Sequence, residues 1–284
     1  MTDNQNNIKV SIITINYNNC QGLYKTIESV VNQTYKGFEY IIIDGGSNDG
    51  SVDVIGQYAK IIDYWVSEPD KGIYNAMNKG IDVVKGEYCI FMNSGDCFCN
   101  NRVVEEVIGT LNGADIIVGN TILSDGKVKK SLQNVTLKTL YADSICHQSA
   151  FILSSLLKKY HYDETLRIVS DWKFFLQTLI LDNCSYKRID NCVSIYDING
   201  ITYSQWNLYL KEKQSVLQKM FPQRVLTDIN ELVDGNTWED KLYVRIKNSK
   251  YNGVVYTFNV ILVRLILLFK FNKSWIFKFP LLIK

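Results

Sequence analysis

Residues that build common reactive centres are scarce in this chain of 284 residues. Only two histidines occur, His147 and His161, which excludes a His-rich metal site and a catalytic centre with duplicated histidines. The seven cysteines are scattered, and no C-x-x-C pair occurs among them. This pattern argues against a zinc site and favours free thiols in a reducing compartment. P-loop and dinucleotide-type glycine motifs are also absent.

The chain also has no large excess of positive or negative charge. The net charge of +2 gives no reason to expect general nucleic acid binding. The charge is unevenly placed, however, because residues 241–284 carry nine basic residues and no acidic ones, which leaves a net charge of −7 for residues 1–240. The composition, with 46% hydrophobic and 21% charged residues, is that of an ordinary globular protein.

Long apolar runs without charge do not occur. The stretch from Met1 to Asn7 is polar and has no apolar core of the kind a secretory signal needs. The apolar stretch 254–271 is interrupted by Arg264, and a central arginine costs about 2.5 to 3.5 kcal/mol on insertion scales. We therefore expect a cytoplasmic protein whose C-terminal segment lies at the inner face of the cell membrane. A C-terminal helix docked on the main domain or on a second copy, as in a homodimer, is the alternative.

The first hundred residues alternate apolar, β-branched runs with helical spacing. This alternation predicts an α/β fold with a mostly parallel central sheet and helices on both faces. The expected strands are 10–15, 40–43, 61–66 and 88–92, and the expected helices are 22–32, 52–58 and 74–84. Later features are a hairpin turning at 124–127 and helices at 171–181 and 204–220. We expect a main domain over 1–222 and a helical extension over 223–284.

Polar residues follow three of these expected strands. Tyr17 follows the first strand, Asp44 ends the second, and Asp96 follows the fourth. The carboxyl ends of strands are where open α/β sheets bind ligands, and an aspartate there can hold a divalent cation against a diphosphate. The pattern indicates sugar-nucleotide chemistry.

Four motifs, in this order along the chain, resemble the family 2 glycosyltransferases with the GT-A fold. They are Val10–Asn18, Ile41–Gly50, Asn93–Asp96 and Ser170–Trp172. The resemblance covers about residues 8–220, and it implies inverting transfer of a sugar from a nucleoside diphosphate. The segment 68–80 resembles one that is typical of branches building bacterial surface polysaccharides such as capsule and O-antigen.

The resemblance assigns roles to residues of the donor site. Tyr17 would offer an aromatic face to the nucleobase, which is worth roughly 1 to 3 kcal/mol per stacked base. Asp44 would accept from a uracil N–H or a ribose hydroxyl, and Asp70 would lie near the nucleotide. The family commonly has two adjacent aspartates, whereas Gly45 follows Asp44 in this chain. The base therefore stays open, with uridine favoured.

The diphosphate and a cation are assigned to further residues. Asn78 and Lys79, on a helix after a turn, would point towards the diphosphate. Asp96 matches the last acid of the family's D-x-D metal motif, which implies Mg²⁺ or Mn²⁺. Asn93 stands where the first acid often is, and it would supply a neutral oxygen ligand.

Asp171 matches the residue that acts as the general base in the family. A helix-capping aspartate is the alternative. His147 and Trp172 would contact the acceptor or the phosphates, and a buried, hydrogen-bonded histidine is the other interpretation of His147.

These observations predict an inverting, metal-dependent glycosyltransferase. Its donor would be a UDP-sugar and its acceptor a hydroxyl of a glycan or lipid-linked saccharide in bacterial surface polysaccharide synthesis. A non-catalytic relative that binds nucleotide or membrane is the first alternative, because Gly45, Asn75 and Asn93 stand where acids are common in the family. A sugar-nucleotide pyrophosphorylase is disfavoured, since Asn16–Asn19 replaces the glycine-rich loop expected there.

Overall fold

A computed structural model describes residues 8–196 and 205–233. The chain divides into two compact units, residues 1–226 and 227–284, and the fold below is that of the first. This division lies four residues beyond the boundary expected at 222. The expected membrane-surface segment, 241–284, lies outside the described residues. Among the residues that are described, no helix combines the length and apolar character needed to span a membrane.

One central sheet contains the nine strands of the described chain. Their order is β3-β2-β1-β4-β8-β6-β9-β5, with the short strand β7 paired to β6. The strands are β1 (Val10–Asn16), β2 (Phe38–Asp44), β3 (Tyr64–Ser67), β4 (Tyr88–Phe91), β5 (Cys97–Phe98), β6 (Ile116–Leu123), β7 (Val128–Lys129), β8 (Ala150–Leu153) and β9 (Tyr186–Tyr196).

The first four strands form the parallel half of the sheet. They agree with the expected strands within a few residues, because each is a short apolar run bounded by turn residues. The second half is mixed. Strand β8 runs antiparallel to both β4 and β6, whereas β6 runs parallel to β9. The predicted hairpin turn joins β6 to β7, which confirms that prediction.

Helices cover both faces of the parallel half. Helices α1 and α2 pack on the face that holds Ile12 and Ile42, while α3 packs on the opposite face, against Ile13. Neighbouring residues of a strand point to opposite faces, which explains this division. The helices are α1 (Cys20–Val31), α2 (Ser51–Tyr58), α3 (Ile73–Val83), α4 (Val103–Ile108), α5 (Leu137–Ala142), α6 (Ser154–Tyr160), α7 (Ser170–Phe175), α8 (Trp206–Met220) and α9 (Gln223–Val233).

The helix expected over 171–181 is α-helical only in its first part. A π-helical turn, Leu176–Leu181, continues α7. The Thr178 hydroxyl donates to the Phe174 carbonyl at 2.8 Å inside this segment. Hydroxyl bonding of this kind competes with the backbone pattern and distorts a helix locally.

Gly80 of α3 is closely packed against β1, whereas Gly56 of α2 has open space around it. Substitutions at these two glycines therefore test the packing of α3. A Cβ on Gly80 of α3 would lie 2.8 Å from Ile13 Cγ2, whereas a Cβ on Gly56 of α2 would meet nothing within 4 Å. We expect Gly80→Ala to destabilise the protein by about 1 to 3 kcal/mol through overpacking. Gly56→Ala should stabilise it by roughly 0.5 to 1 kcal/mol. Thermal unfolding measures both, and equal shifts of the same sign would contradict the packing of α3 on β1.

Candidate active site

The carboxyl ends of the four parallel strands carry the polar residues of the site. The register places Asn16, the last residue of β1, opposite Asp44, the last residue of β2. Asp44 in turn lies opposite Ser67, which ends β3. Three polar side chains therefore lie in one row across three strands, at the edge where such sheets bind ligands.

Asp44 is fully buried and is held by protein donors on both oxygens. Its Oδ1 accepts from Asn16 Nδ2 at 2.8 Å and from the Ser47 hydroxyl at 2.6 Å. Its Oδ2 accepts from the Ser67 hydroxyl at 2.6 Å and from the Ser47 backbone N–H at 2.9 Å. Burial by itself would raise the pKa of Asp44, but the hydrogen bonds from Ser47 and Ser67 outweigh it and hold that pKa below its ordinary value of 3.8.

Asp44 ends β2 as expected, and its contacts bear on the role predicted for it. A carboxylate offers about four acceptor positions, and protein donors already fill them. A nucleobase or ribose would have to displace one of these donors to contact Asp44 directly. In this structure, Asp44 joins the ends of β1, β2 and β3 to the loop that follows β2.

Gly45 leaves a space that a different carboxylate fills. An ideal Cβ on Gly45 would lie 2.4 Å from Asp70 Oδ2 and 3.2 Å from Tyr17 Cδ2. The other oxygen, Asp70 Oδ1, accepts from the Gly72 backbone N–H at 2.9 Å. Tyr17 is 65% exposed and follows β1 directly. A side chain at position 45 would therefore collide with Asp70, which is a steric reason for glycine in place of a second aspartate. The exposed Tyr17 ring lies beside the Asp70 carboxylate.

The helix residues expected to face a diphosphate lie in other contacts. Asn78 is buried, its amide nitrogen donates to the Tyr162 carbonyl at 2.9 Å, and its oxygen accepts from the Tyr162 N–H at 2.8 Å. In this structure the Asn78 side chain holds the segment after α6, and its contact with a diphosphate stays a prediction. Lys79 pairs with Glu68 at 2.7 Å, in the loop that carries Asp70.

The turn after β4 holds the residues proposed for a cation. The Asp96 N–H donates to the Asn93 carbonyl at 2.9 Å, and the Thr26 hydroxyl donates to the Asp96 carbonyl at 2.6 Å. Asn93 Oδ1 is buried without a hydrogen-bond partner in the described part of the chain. No cluster of three or more His, Cys, Asp or Glu side chains suited to a metal occurs within residues 8–196 and 205–233. One carboxylate and one amide oxygen suit a hard cation that also binds substrate phosphates and waters.

Asp171, the second residue of α7, has a hydrogen-bond partner on each oxygen. The Tyr74 hydroxyl donates to Oδ1 at 3.0 Å, and His147 Nδ1 lies 3.0 Å from Oδ2. A carboxylate oxygen accepts, so His147 Nδ1 is the donor in this contact. Nε2 lies 3.1 Å from Asn93 Nδ2 and accepts from this amide in the tautomer that carries the proton on Nδ1. His147 thus connects Asn93, which follows β4, to Asp171 at the start of α7.

The sheet explains why these residues meet. Strand β8 pairs antiparallel with β4, with Tyr88 opposite Leu153 and Cys89 opposite Ile152. This register brings the 3₁₀ turn His147–Ser149, which precedes β8, beside the residues that follow β4. The sequence motif alone left His147 between two interpretations. In the structure it is a partly buried histidine with hydrogen bonds to Asp171 and Asn93, and its contact with the acceptor or the phosphates stays a prediction.

Tyr74 is a site residue that the sequence did not reveal. Burial, followed by the negative charge of Asp171, raises the pKa of Tyr74 well above its ordinary value of 10.0. The hydroxyl therefore keeps its proton and stays a donor. One of 18 tyrosines carries no signal in the sequence, although its place in the first turn after the Gly72 loop is distinctive.

Trp172 packs α7 against α5. The side chain is buried, and its indole N–H donates to the Leu140 carbonyl at 2.7 Å. The expected contact of Trp172 with acceptor or phosphates stays a prediction.

Comparison with known proteins assigns the chain to a family. The model of glycosyl transferase family 2 matches residues 11–171, a range that includes Asp44, Asp96 and Asp171. The chain belongs to glycosyl transferase family 2. An uncharacterized glycosyltransferase of Mycobacterium tuberculosis is 32% identical over 201 residues, which cover 68% of this chain and 76% of that protein. A PGL/p-HBAD biosynthesis glycosyltransferase of Mycobacterium bovis is 27% identical over 58% of this chain and 67% of its own length.

Solved structures share the GT-A fold of this family 2 member. TarS of S. aureus in complex with UDP aligns with a TM-score of 0.60 at 15% identity, over 86% of this chain and 73% of that chain. TarS in complex with UDP-GlcNAc aligns with a TM-score of 0.57 at 18% identity, over 66% of this chain. In that second comparison, the aligned region spans 58% of the TarS chain, somewhat over half its length.

The buried carboxylate of Asp44 predicts a pH-dependent contribution to stability. Asp44→Asn should destabilise the folded protein by roughly 2 kcal/mol or more at pH 7, because charge-assisted hydrogen bonds are lost. Since the folded pKa of Asp44 is lowered, its contribution is fully present above the unfolded value and is lost as the pH falls through the folded value. Denaturant unfolding should therefore show the gap between variant and parent closing below about pH 4. Asp53→Asn, at an exposed position of α2, is the control, and a gap that is constant with pH would contradict this account.

Two neighbouring buried tyrosines offer a test of the Asp171 contacts. Tyr74 and Tyr162 pack with ring centroids 5.6 Å apart, yet the buried Tyr162 hydroxyl has no partner among the described residues. Tyr74→Phe should cost roughly 1.5 to 3 kcal/mol of unfolding free energy, the worth of a hydrogen bond to a charged group. Tyr162→Phe should be neutral or stabilising. If denaturant unfolding gives both variants the same cost, the bond from Tyr74 to Asp171 does not have the role assigned to it.

Proposed function

We propose that this protein is an inverting glycosyltransferase that moves a sugar from a UDP-sugar to a hydroxyl of a glycan or lipid-linked saccharide, with Asp171 as the general base. The observation that carries the proposal is the position of Asp171. Its carboxylate is oriented by Tyr74 and His147, and His147 is bonded to Asn93, in the turn that leads to Asp96. A base and a candidate diphosphate site are thus joined by three hydrogen-bonded side chains.

The chemistry follows from this arrangement. The acceptor oxygen attacks the anomeric carbon from the face opposite the diphosphate, the bond from that carbon to the phosphate oxygen breaks, and UDP leaves with the electron pair. Asp171 takes the proton of the attacking hydroxyl. Tyr74 and His147 hold the carboxylate in one orientation, which reduces the reorganisation needed in the transition state.

Asp96 and Asn93 Oδ1 are the groups that would hold Mg²⁺ or Mn²⁺ together with the donor diphosphate. When bound, the cation neutralises negative charge that develops on the leaving diphosphate. The buried Asn93 oxygen without a partner supports this assignment, because such an oxygen is otherwise costly.

The preference for uridine rests on Asp70 and Tyr17. Asp70 Oδ1 is taken by the Gly72 N–H, which leaves Oδ2 as the acceptor beside the Tyr17 ring. Uracil presents one ring N–H, whereas guanine presents a pair of donors that suits both oxygens of a carboxylate. The UDP bound to the structural relative TarS agrees with this preference.

The acceptor class and the cellular place are extensions of the same proposal. The segment 68–80 resembles branches that build bacterial surface polysaccharides, and one relative bears the name PGL/p-HBAD biosynthesis glycosyltransferase. A lipid-linked acceptor would be met at the inner membrane face, where the basic residues of 241–284 would hold the enzyme by attraction to anionic lipids.

Donor hydrolysis and donor binding test the proposal without a known acceptor. The parent protein should hydrolyse a UDP-sugar slowly with Mn²⁺, and faster than GDP- or dTDP-sugars. Asp171→Asn should lower that rate by about 10²- to 10⁴-fold while a thermal shift with UDP and Mn²⁺ persists. Asp96→Ala should lose the Mn²⁺-dependent part of that shift.

Asp125→Asn, in the β6–β7 turn, is the matched control and should behave as the parent. Near-parental hydrolysis by Asp171→Asn would overturn the assignment of the base. A parent protein that binds UDP but hydrolyses none of the donors would favour the non-catalytic alternative.

A further inference from the structure

Helix α8 is fixed to the segment that positions the proposed base. The Glu212 carboxylate accepts from three consecutive backbone N–H groups just before α7, at 2.8, 2.9 and 3.3 Å: Arg167, Ile168 and Val169. Consecutive N–H groups at a helix start have no partner inside the helix, so a carboxylate there is stabilising. The start of α7, and with it Asp171, is therefore held against α8.

Lys213 connects the same helix to the aromatic residues around α7. Its ammonium donates to the Tyr141 carbonyl at 2.7 Å and lies 5.0 Å from the ring centroid of Trp172. It also lies 5.5 Å from the ring of Tyr209. Burial raises the pKa of Tyr209, and the charge of Asp171 raises it further, which agrees with a position near the base.

A stacked pair of aromatic rings, one exposed and one partly buried, lies at the start of α8. Trp206 stacks on Tyr209 with ring centroids 4.9 Å apart and an interplanar angle of 20°. Trp206 is 53% exposed although it is a large apolar side chain. Of the exposed neighbours on the helix, Asn207 and Lys211 are polar and Leu210 is apolar. A flat aromatic surface with polar groups beside it suits a ligand that has one apolar face and hydroxyls at its edge.

We propose that Trp206 and Tyr209 form an acceptor subsite that binds a pyranose ring of the saccharide to be extended. This inference rests on the proposed function, because Asp171 must meet an acceptor hydroxyl. One face of a pyranose carries C–H groups that pack on an indole, while its hydroxyls project to the rim. The Tyr209 hydroxyl, which accepts from Lys213 Nζ at 3.3 Å, is a polar group of the stacked pair itself. In the proposed function the nucleobase stacks on a different ring, Tyr17.

The exposed residues near the stacked pair favour a saccharide over a membrane lipid as its ligand. A surface that inserts into a membrane presents several large apolar side chains together. On α8 the exposed large apolar side chains are Trp206 and Leu210. The residue that follows each of them, Asn207 and Lys211, is exposed and polar.

Saturation-transfer NMR with methyl glycosides tests the subsite on the full chain. The probes are the methyl pyranosides of glucose, galactose, mannose, rhamnose and N-acetylglucosamine. At least one should bind the parent protein, and Trp206→Ala should weaken it about tenfold, the size expected for losing an aromatic contact. Trp206→Tyr, which keeps a ring, should retain most of the binding. Trp65→Ala, at another exposed tryptophan, should bind as the parent does.

Three results would overturn the proposal. One is that no glycoside binds, or that Trp206→Ala binds as well as the parent. A second is that phosphatidylglycerol vesicles, but no glycoside, change the fluorine resonance of 5-fluorotryptophan at position 206, which would make the pair a lipid contact. The third is that the parent sediments as a dimer and Trp206→Ala as a monomer, which would assign the pair to a second copy.

The same samples separate this inference from the proposed function. Stabilisation of Trp206→Ala by UDP and Mn²⁺ shows that the variant is folded and keeps its donor site. If the parent hydrolyses a UDP-sugar but binds no glycoside through Trp206, the subsite alone is wrong. If a glycoside binds through Trp206 and no donor is bound or hydrolysed, the acceptor role is overturned, and the failure lies in the proposed function.

Discussion

The buried carboxylate of Asp44 is the interaction on which the donor side of the molecule depends. It ties the ends of three parallel strands to one loop through donors from Asn16, Ser47 and Ser67. An ionised group without water is stable only when its lone pairs are satisfied, so the loop after β2 has little freedom once the sheet has formed. The positions of Gly45, and therefore of Asp70 beside Tyr17, follow from that constraint.

A second network lies where the two halves of the sheet meet. The parallel half ends at β4, and the mixed half begins with the antiparallel strand β8. Asn93 comes from the first half and His147 from the second, and their hydrogen bond continues to Asp171 on α7. In the proposed reaction the donor binds at the carboxyl ends of the parallel strands, and the base is supplied by α7 on the side of the mixed half.

Two of the departures from the acidic pattern that the sequence led us to expect, at positions 45 and 93, have physical explanations. A side chain at position 45 would collide with Asp70, so glycine and the distant carboxylate form a compatible pair. An amide at position 93 can donate to a neutral imidazole, which an ionised aspartate cannot do. Neither fact was visible in the sequence, because residues 45 and 70, or 93 and 147, are close only after folding. The contacts of Asn78 with Tyr162 and of Trp172 with Leu140 were not predictable for the same reason, because a polar or aromatic residue in a motif can equally serve packing.

Local pattern was sufficient for the parallel half of the fold. Buried strands, helical spacing and the small polar turns that separate them are encoded within short stretches, so β1 to β4, α1 to α3 and the β6–β7 hairpin were predictable. The residues at the carboxyl ends of those strands were predictable too, since topology alone brings such ends together. The antiparallel entry of β8, the orientation of His147 and Tyr74 towards Asp171, and the meeting of α8 with α7 depend on long-range pairing. Those contacts form between residues up to about a hundred positions apart, and only the packed tertiary structure decides which of many equally plausible side chains they join.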